Sequence, residues 1–149
     1  MMTTQRTEFF DVRRDQMVET LITPESLQLF QPWGISIRNL CCRAVAERDG
    51  KQMETGLLLE SASSTIFVAV SSQLLIEFID DLLSDLTEFH HCFPKYKGYR
   101  LYGAVAGLDL SLDIIRYATR RGLFVLSVNG NDTVRLLNDV TFAPRDFGQ

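Results

Sequence analysis

The chain holds no lysine or arginine between Lys51 and Lys95, while Glu54, Glu60, Glu77, Asp80, Asp81, Asp85 and Glu88 all fall in that interval. A cleft built from this stretch would repel phosphate rather than gather it. With a formal net charge of -4 and a pI near 5.1, the chain has no general attraction to nucleic acid either. Long apolar runs are missing too: none approaches the ~20 residues of a membrane span, and MMTTQRTEFF lacks the apolar core of a signal peptide. The expected location is therefore the cytoplasm, away from membranes. Cysteine is scarce. Cys41, Cys42 and Cys92 are odd in number and two are adjacent, which argues against a disulfide framework and suits a reducing compartment. Repeats, low-complexity tracts and linkers are absent, so residues 1–149 read as one domain, large enough to bury its own core.

What is present centres on Met53 to Ser71, METGLLLESASSTIFVAVS. Leu57, Leu58 and Leu59 form one solid apolar block and Ile66 to Val70 a second, separated by small turn residues. Such runs predict strands buried on both faces. Upstream, residues 8 to 22 show helical spacing, with Phe9, Val12, Met17, Leu21 and Ile22 as the candidate buried stripe. Thr23 caps a second short helix with Pro24 in its first turn. Pro32-Trp33-Gly34 stops that helix, and Trp33 reads as a packing residue at the corner. From Ile35 the period changes to two as far as Ala46, and Asp49-Gly50-Lys51 signals a turn. Three sequential strands with short links predict an antiparallel meander.

Beyond it, Leu75, Phe78, Ile79, Leu82, Leu83, Leu86 and Phe89 recur on one helical face, with the acidic residues on the other as a solvated surface. His90-His91-Cys92 resembles a metal cluster in one dimension only. Consecutive helical residues point ~100° apart and do not converge on one ion. Tyr99 to Ala106 predicts a strand in which Gly103 and Gly107 admit a neighbouring backbone. Ser111 caps a helix carrying Ile114, Ile115 and Ala118 inward, and Gly122 ends it. Leu123 to Val128, the turn Asn129-Gly130-Asn131-Asp132 and Val134 to Leu137 predict a closing hairpin.

Helix, three-strand meander, helix and strand, then a further helix and a hairpin, is the order of the PD-(D/E)XK or restriction-endonuclease-like superfamily. The stretches GISIRNL, RDGKQME, FPKYKGYRLYGAVAGLDL, YATRRGLFVL and VRLLNDVTFAPRDF resemble an uncharacterised bacterial, especially cyanobacterial, group within it. The resemblance covers roughly residues 10 to 147 and is strongest in the second half. It implies an α/β (α+β) fold: an αβββαβ core whose mixed central sheet is flanked by helices, plus a C-terminal helix and β-hairpin.

Members of that group carry a Glu on the first helix, Glu-x-Asp on the second strand and Glu-x-Lys on the third. Their carboxylates hold the divalent ions that activate water and stabilise the phosphoryl transition state. By resemblance, Glu19 matches the helix Glu and Glu54 the first strand acid. The Asp position is Gly56, and the Glu and Lys positions are Ala69 and Ser71. Two surviving glutamates make a poor Mg²⁺ site. Glu60, of the same strand parity but about 13 Å from Gly56, and Glu77 on the following helix are the candidate substitutes.

The expectation is accordingly a pseudoenzyme: no catalytic residue, no metal, no cofactor, and a vestigial site at Glu19, Glu54, Gly56, Ala69 and Ser71. The leading function is a protein-interaction or assembly module with a protein partner or a homo-oligomeric form. One alternative is a non-cleaving nucleic-acid binder using Lys95, Lys97, Arg100, Arg116, Arg120 and Arg121. The other is a metal-dependent nuclease with a relocated site.

Overall fold

The computed structural model of the protein describes residues 12–129 and 133–148. In chain order it comprises helix α1 (Val12–Leu21), the one-turn helix α2 (Pro24–Leu27), and strands β1 (Asn39–Cys41), β2 (Val45–Arg48), β3 (Lys51–Glu54), β4 (Leu57–Glu60) and β5 (Ser64–Val70). Helix α3 (Ile76–Cys92), strand β6 (Arg100–Gly107), helix α4 (Leu112–Arg120) and strands β7 (Phe124–Val128) and β8 (Val134–Leu136) follow.

The two apolar blocks sit at the heart of the sheet. β4 and β5 pair antiparallel with Leu58 opposite Phe67 and Leu59 opposite Ile66, and every residue of β5 is buried. β5, β6 and β7 then run parallel, β8 returns antiparallel on β7, and β1 lies antiparallel outside β4. The order is β1-β4-β5-β6-β7-β8. Parallel pairing needs crossovers that cover the sheet, and these strands consequently lack a polar face.

Alternation along the strands divides the core in two. Leu57, Leu59, Ile66, Val68 and Val70 pack on Met17, Leu21 and Phe30 from the α1–α2 side. Leu58, Phe67, Ala69, Leu101 and Val105 pack on Ile79, Leu82, Leu86 and Phe89 of α3 and Ala118 of α4. This mixed sheet flanked by helices is the architecture implied by the restriction-endonuclease-like resemblance.

Local signals account for the starts of α2 and α4. The Thr23 hydroxyl accepts from Ser26 N at 3.3 Å, and the Ser111 hydroxyl from Ile114 N at 3.3 Å. Trp33 packs edge-on against Phe124 and Phe142, and its Nε1 donates to the Phe142 carbonyl at 2.7 Å.

Several expectations need correction. Ile35 to Ala46 is not one strand: only Asn39–Cys41 joins the sheet, so the antiparallel run is β1, β4 and β5, with the β2–β3 hairpin inserted between β1 and β4. Asp49 and Gly50, with φ of 52° and 79°, form its turn. Thr55 N donates to the Ala44 carbonyl at 2.9 Å, closing the base of the hairpin. Ala44, Ala46 and Met53 are then carried into the α3-side core, and burying that apolar face outweighs continuing the sheet. Leu75, expected on a buried face, is exposed as the residue before α3. A Cβ on Gly103 would meet the side chains of Leu123 and Leu86 at 2.6 Å, so this glycine makes room for packed leucines rather than for a backbone. Phe9 and the Gly130–Asp132 turn lie outside the described residues, as does the side chain of Val12.

Candidate functional site

At the C-terminal end of β5 a cavity of ≈ 180 Å³ opens between the sheet, α1 and α3. Extending the β4–β5 register by one residue from the Leu57–Val68 pair sets Gly56 beside Ala69. Independently, a Cβ on Gly56 would lie 3.1 Å from the Val68 carbonyl oxygen and 3.7 Å from Val70 N, on either side of residue 69. The two positions at which the resemblance looks for strand carboxylates are thus cross-strand neighbours facing one cavity. They carry no functional group.

Other charged groups line the same cavity. Glu54 reaches it from the end of β3, its Oε1 2.9 Å from Nε of Arg43. Asp81 and Asp85, one turn apart on α3, border it from the helix side. Arg14, half-buried on α1, is the cation within it. Its Nε donates to the Val70 carbonyl at 3.1 Å, and its Nη2 lies 2.9 Å from the place a Cβ on residue 56 would take. Arg14 belongs to the stripe of Met17 and Leu21, three and seven residues on, which aims it at the sheet. A long cation on an otherwise apolar stripe is the sequence signal that would have found it. Asp81 and Asp85 were legible only as part of the solvated acidic face.

Two residues expected at the site do not line the cavity. Glu19 is exposed on α1 and borders a separate surface depression with Gln16, Thr20 and Thr23. The Ser71 hydroxyl closes its own turn, donating to the Gln73 carbonyl at 2.8 Å and accepting from Gln73 N at 3.2 Å. Neither substitute carboxylate joins Glu54. Glu60 accepts a 2.5 Å hydrogen bond from the Tyr96 hydroxyl at the far end of β4, and Glu77 is exposed in the first turn of α3 and outside the cavity lining. Burial, then the bond to Glu60, raises the Tyr96 pKa well above its ordinary value.

A divalent ion fits this arrangement badly. It needs several converging oxygens, and here the sheet offers Gly56 and Ala69 while a guanidinium stands beside them. Among the described residues no group of three or more His, Cys, Asp or Glu could hold a metal ion. His90, His91 and Cys92 diverge as expected for consecutive helical residues. His91 Nε2 meets Asp49 Oδ2 at 2.8 Å at the hairpin tip, Cys92 is buried in the core, and the ring of His90 is desolvated, which lowers its pKa.

Five of the six basic candidates lie before or at the start of the parallel strands β6 and β7, and Arg116 lies midway along α4. Arg100 begins β6 opposite Ser64, with Lys95 and Lys97 just before it, and α4 returns Arg120 and Arg121 towards the start of β7. Lys95 lies 5.0 Å over the Tyr96 ring and Arg121 5.7 Å over the Tyr117 ring. From Ser64 to Val70 the sheet separates this group from the cavity by about 20 Å.

No protein-family model matches the chain, and no curated protein matches it. Among solved structures it is similar to an FdxN element excision controlling factor protein from Anabaena variabilis, at 16% identity and a TM-score of 0.50, over 84% of this chain and 100% of that one. A second similarity, at 15% identity and a TM-score of 0.42, is to the small subunit of the heterodimeric restriction endonuclease R.BspD6I, over 80% of this chain and 78% of that one. At such identity a likeness bears on the fold alone. Among the described residues no helix is long and apolar enough to cross a membrane.

Proposed function

We propose that this chain keeps a nuclease-like fold without nuclease chemistry and serves as a protein-interaction or assembly module. The observation that carries the reading is the pairing of Gly56 with Ala69 at the cavity, beside Arg14. Phosphoryl transfer requires charge placed to hold the metal and to stabilise the developing oxyanion. Here the strand positions are bare, Ser71 is turned into a local hydrogen bond, and the cavity rim carries Glu54, Asp81 and Asp85, which disfavour a phosphate backbone. The fold without its chemistry leaves surfaces as the means of action. A likeness to a chain named as an excision controlling factor is compatible with this reading and assigns no activity.

The test combines cleavage and association. Supercoiled plasmid and labelled single-stranded and duplex oligonucleotides are incubated with the protein in Mn²⁺ at moderate salt, and its mass is measured by light scattering alone and after affinity purification. The expected result is intact DNA, flat anisotropy at micromolar protein, and a defined oligomer or a co-purifying protein. Mn²⁺-dependent cutting that Glu54→Ala abolishes would overturn the reading in favour of a nuclease.

Chain placement favours a second reading, a non-cleaving nucleic-acid binder: Lys95, Lys97 and Arg100 lie before or at the start of β6, Arg120 and Arg121 lie before the start of the parallel strand β7, and Arg116 lies midway along α4. In that case anisotropy rises, and Arg120→Glu with Arg121→Glu weakens binding and flattens its salt dependence.

A further inference from the structure

We infer that Arg14 is the resident cation of the cavity, held where an acid at position 56 and its metal would have to be, so that Arg14 and Gly56 form a matched pair. The inference rests on the non-cutting reading of this site and adds what took the ion's place.

One hydrogen bond holds the guanidinium, and the missing side chain at 56 leaves room for it. Nε donates to the Val70 carbonyl at 3.1 Å, at the last residue of β5, and Nη2 occupies the space a side chain at 56 would enter, 2.9 Å from its Cβ. Glycine at 56 is therefore more than a lost carboxylate: any larger residue must push the arginine aside. The bare position and the cation explain each other. The cavity walls carry Glu54, Asp81 and Asp85, and a positive charge among them offsets their mutual repulsion. A divalent ion would do so only when bound. Guanidinium stays charged at every physiological pH and cannot dissociate, so it links α1 to the end of β5 at any metal concentration.

This reading has a consequence that loss of acids alone does not. Restoring carboxylates at 56 and 69 should not restore metal binding while Arg14 remains, because the planar donor fork of arginine captures a carboxylate in bidentate fashion and its charge repels the ion.

Four proteins test this: wild type, Arg14→Ala, Gly56→Asp with Ala69→Glu, and the triple variant. Mn²⁺ affinity is read from the electron paramagnetic resonance signal of the free ion. The expected result is that the triple variant binds at least about tenfold more tightly than the double variant, since a unit charge at contact range is worth that much even when screened. Equal affinities would overturn the inference while leaving the non-cutting reading intact. Mn²⁺-dependent plasmid cleavage by the wild type would overturn both.

Should the restored acids prevent folding, melting temperatures decide. Gly56→Ala should lower the midpoint of the wild type clearly more than that of Arg14→Ala, with a remainder from the Val68 carbonyl 3.1 Å away. Additive shifts would refute the pairing.

Discussion

Replacing Gly122 by alanine should be among the most damaging single-methyl additions to this protein. Gly122 follows α4 with φ of +85°, a left-handed position that costs an L-residue about 1 kcal/mol. Its new Cβ would sit 2.4 Å from the Cβ of Arg145, 3.1 Å from its N and 3.3 Å from its Cα. Because backbone is among the obstructing atoms, no rotamer change relieves the clash and the segment at 145–148 must lift. That segment is held by Arg145 N donating to the Gly122 carbonyl at 3.1 Å, Phe147 N to the Leu101 carbonyl at 2.7 Å, and Leu101 N to Asp146 Oδ1 at 3.0 Å. Losing two or three of these bonds at ~1 kcal/mol each, added to the conformational cost, gives about 3–4 kcal/mol. For a chain of 149 residues this corresponds to a melting temperature lower by roughly 6–16 °C. Calorimetry measures the shift, and hydrogen exchange at the Leu101 and Phe147 amides shows whether the segment has lifted. Gly122→Asn separates the two causes, since asparagine tolerates the left-handed region but brings the same Cβ. A near-normal midpoint for Gly122→Asn would refute the crowding argument.

Three further outcomes are expected. Asn138→Ala removes the Oδ1 that accepts from Val125 N at 2.7 Å and the Nδ2 that donates to the Leu123 carbonyl at 3.2 Å, leaving backbone groups in and just before β7 unsatisfied; urea denaturation should show a loss of about 2–3 kcal/mol. Thr65 is buried and its Oγ1 has no hydrogen-bond partner, so Thr65→Val should be neutral or stabilising in the same assay, and a loss above about 1 kcal/mol would contradict that assignment. Tyr96 has a pKa raised above its unfolded value of about 10 by burial and the bond to Glu60. The native state holds the phenolic proton more tightly, so its contribution is fully present below about pH 10 and declines as pH rises further towards the folded value. Absorbance at 295 nm should show a phenol ionising above the ordinary tyrosine range that is lost in Tyr96→Phe, and the same substitution should flatten the alkaline loss of stability.

The legible parts of this molecule are those where a local pattern and a global demand agree. The seven buried residues of β5 announce a strand covered on both sides, and Leu82, Leu86 and Phe89 announce the inner face of α3. Alternation does not reveal the β2–β3 hairpin, because it says only that one face is apolar. Whether Ala46 and Met53 extend the sheet or fold over α3 depends on which apolar surface is within reach. The cavity was half legible. Glu54, Gly56 and Ala69 lie there, but Glu19 and Ser71 do not, since a side chain's destination depends on the rotation of its helix and on competing local bonds.

Sequence alone determined which positions lack chemistry: no arrangement of this chain puts a carboxylate at residues 56 and 69 or a lysine or arginine between Lys51 and Lys95. It also determined most of the strand and helix pattern, the β1–β3 region excepted, because periodicity and capping act over a few neighbouring residues. Only the tertiary structure decided what fills the bare site. Arg14 and Gly56 are 42 positions apart, and their contact exists because α1 crosses the end of β5 and the arginine finds the Val70 carbonyl there. A pairing between distant residues is set by the packing of whole elements, and local spacing carries no record of it.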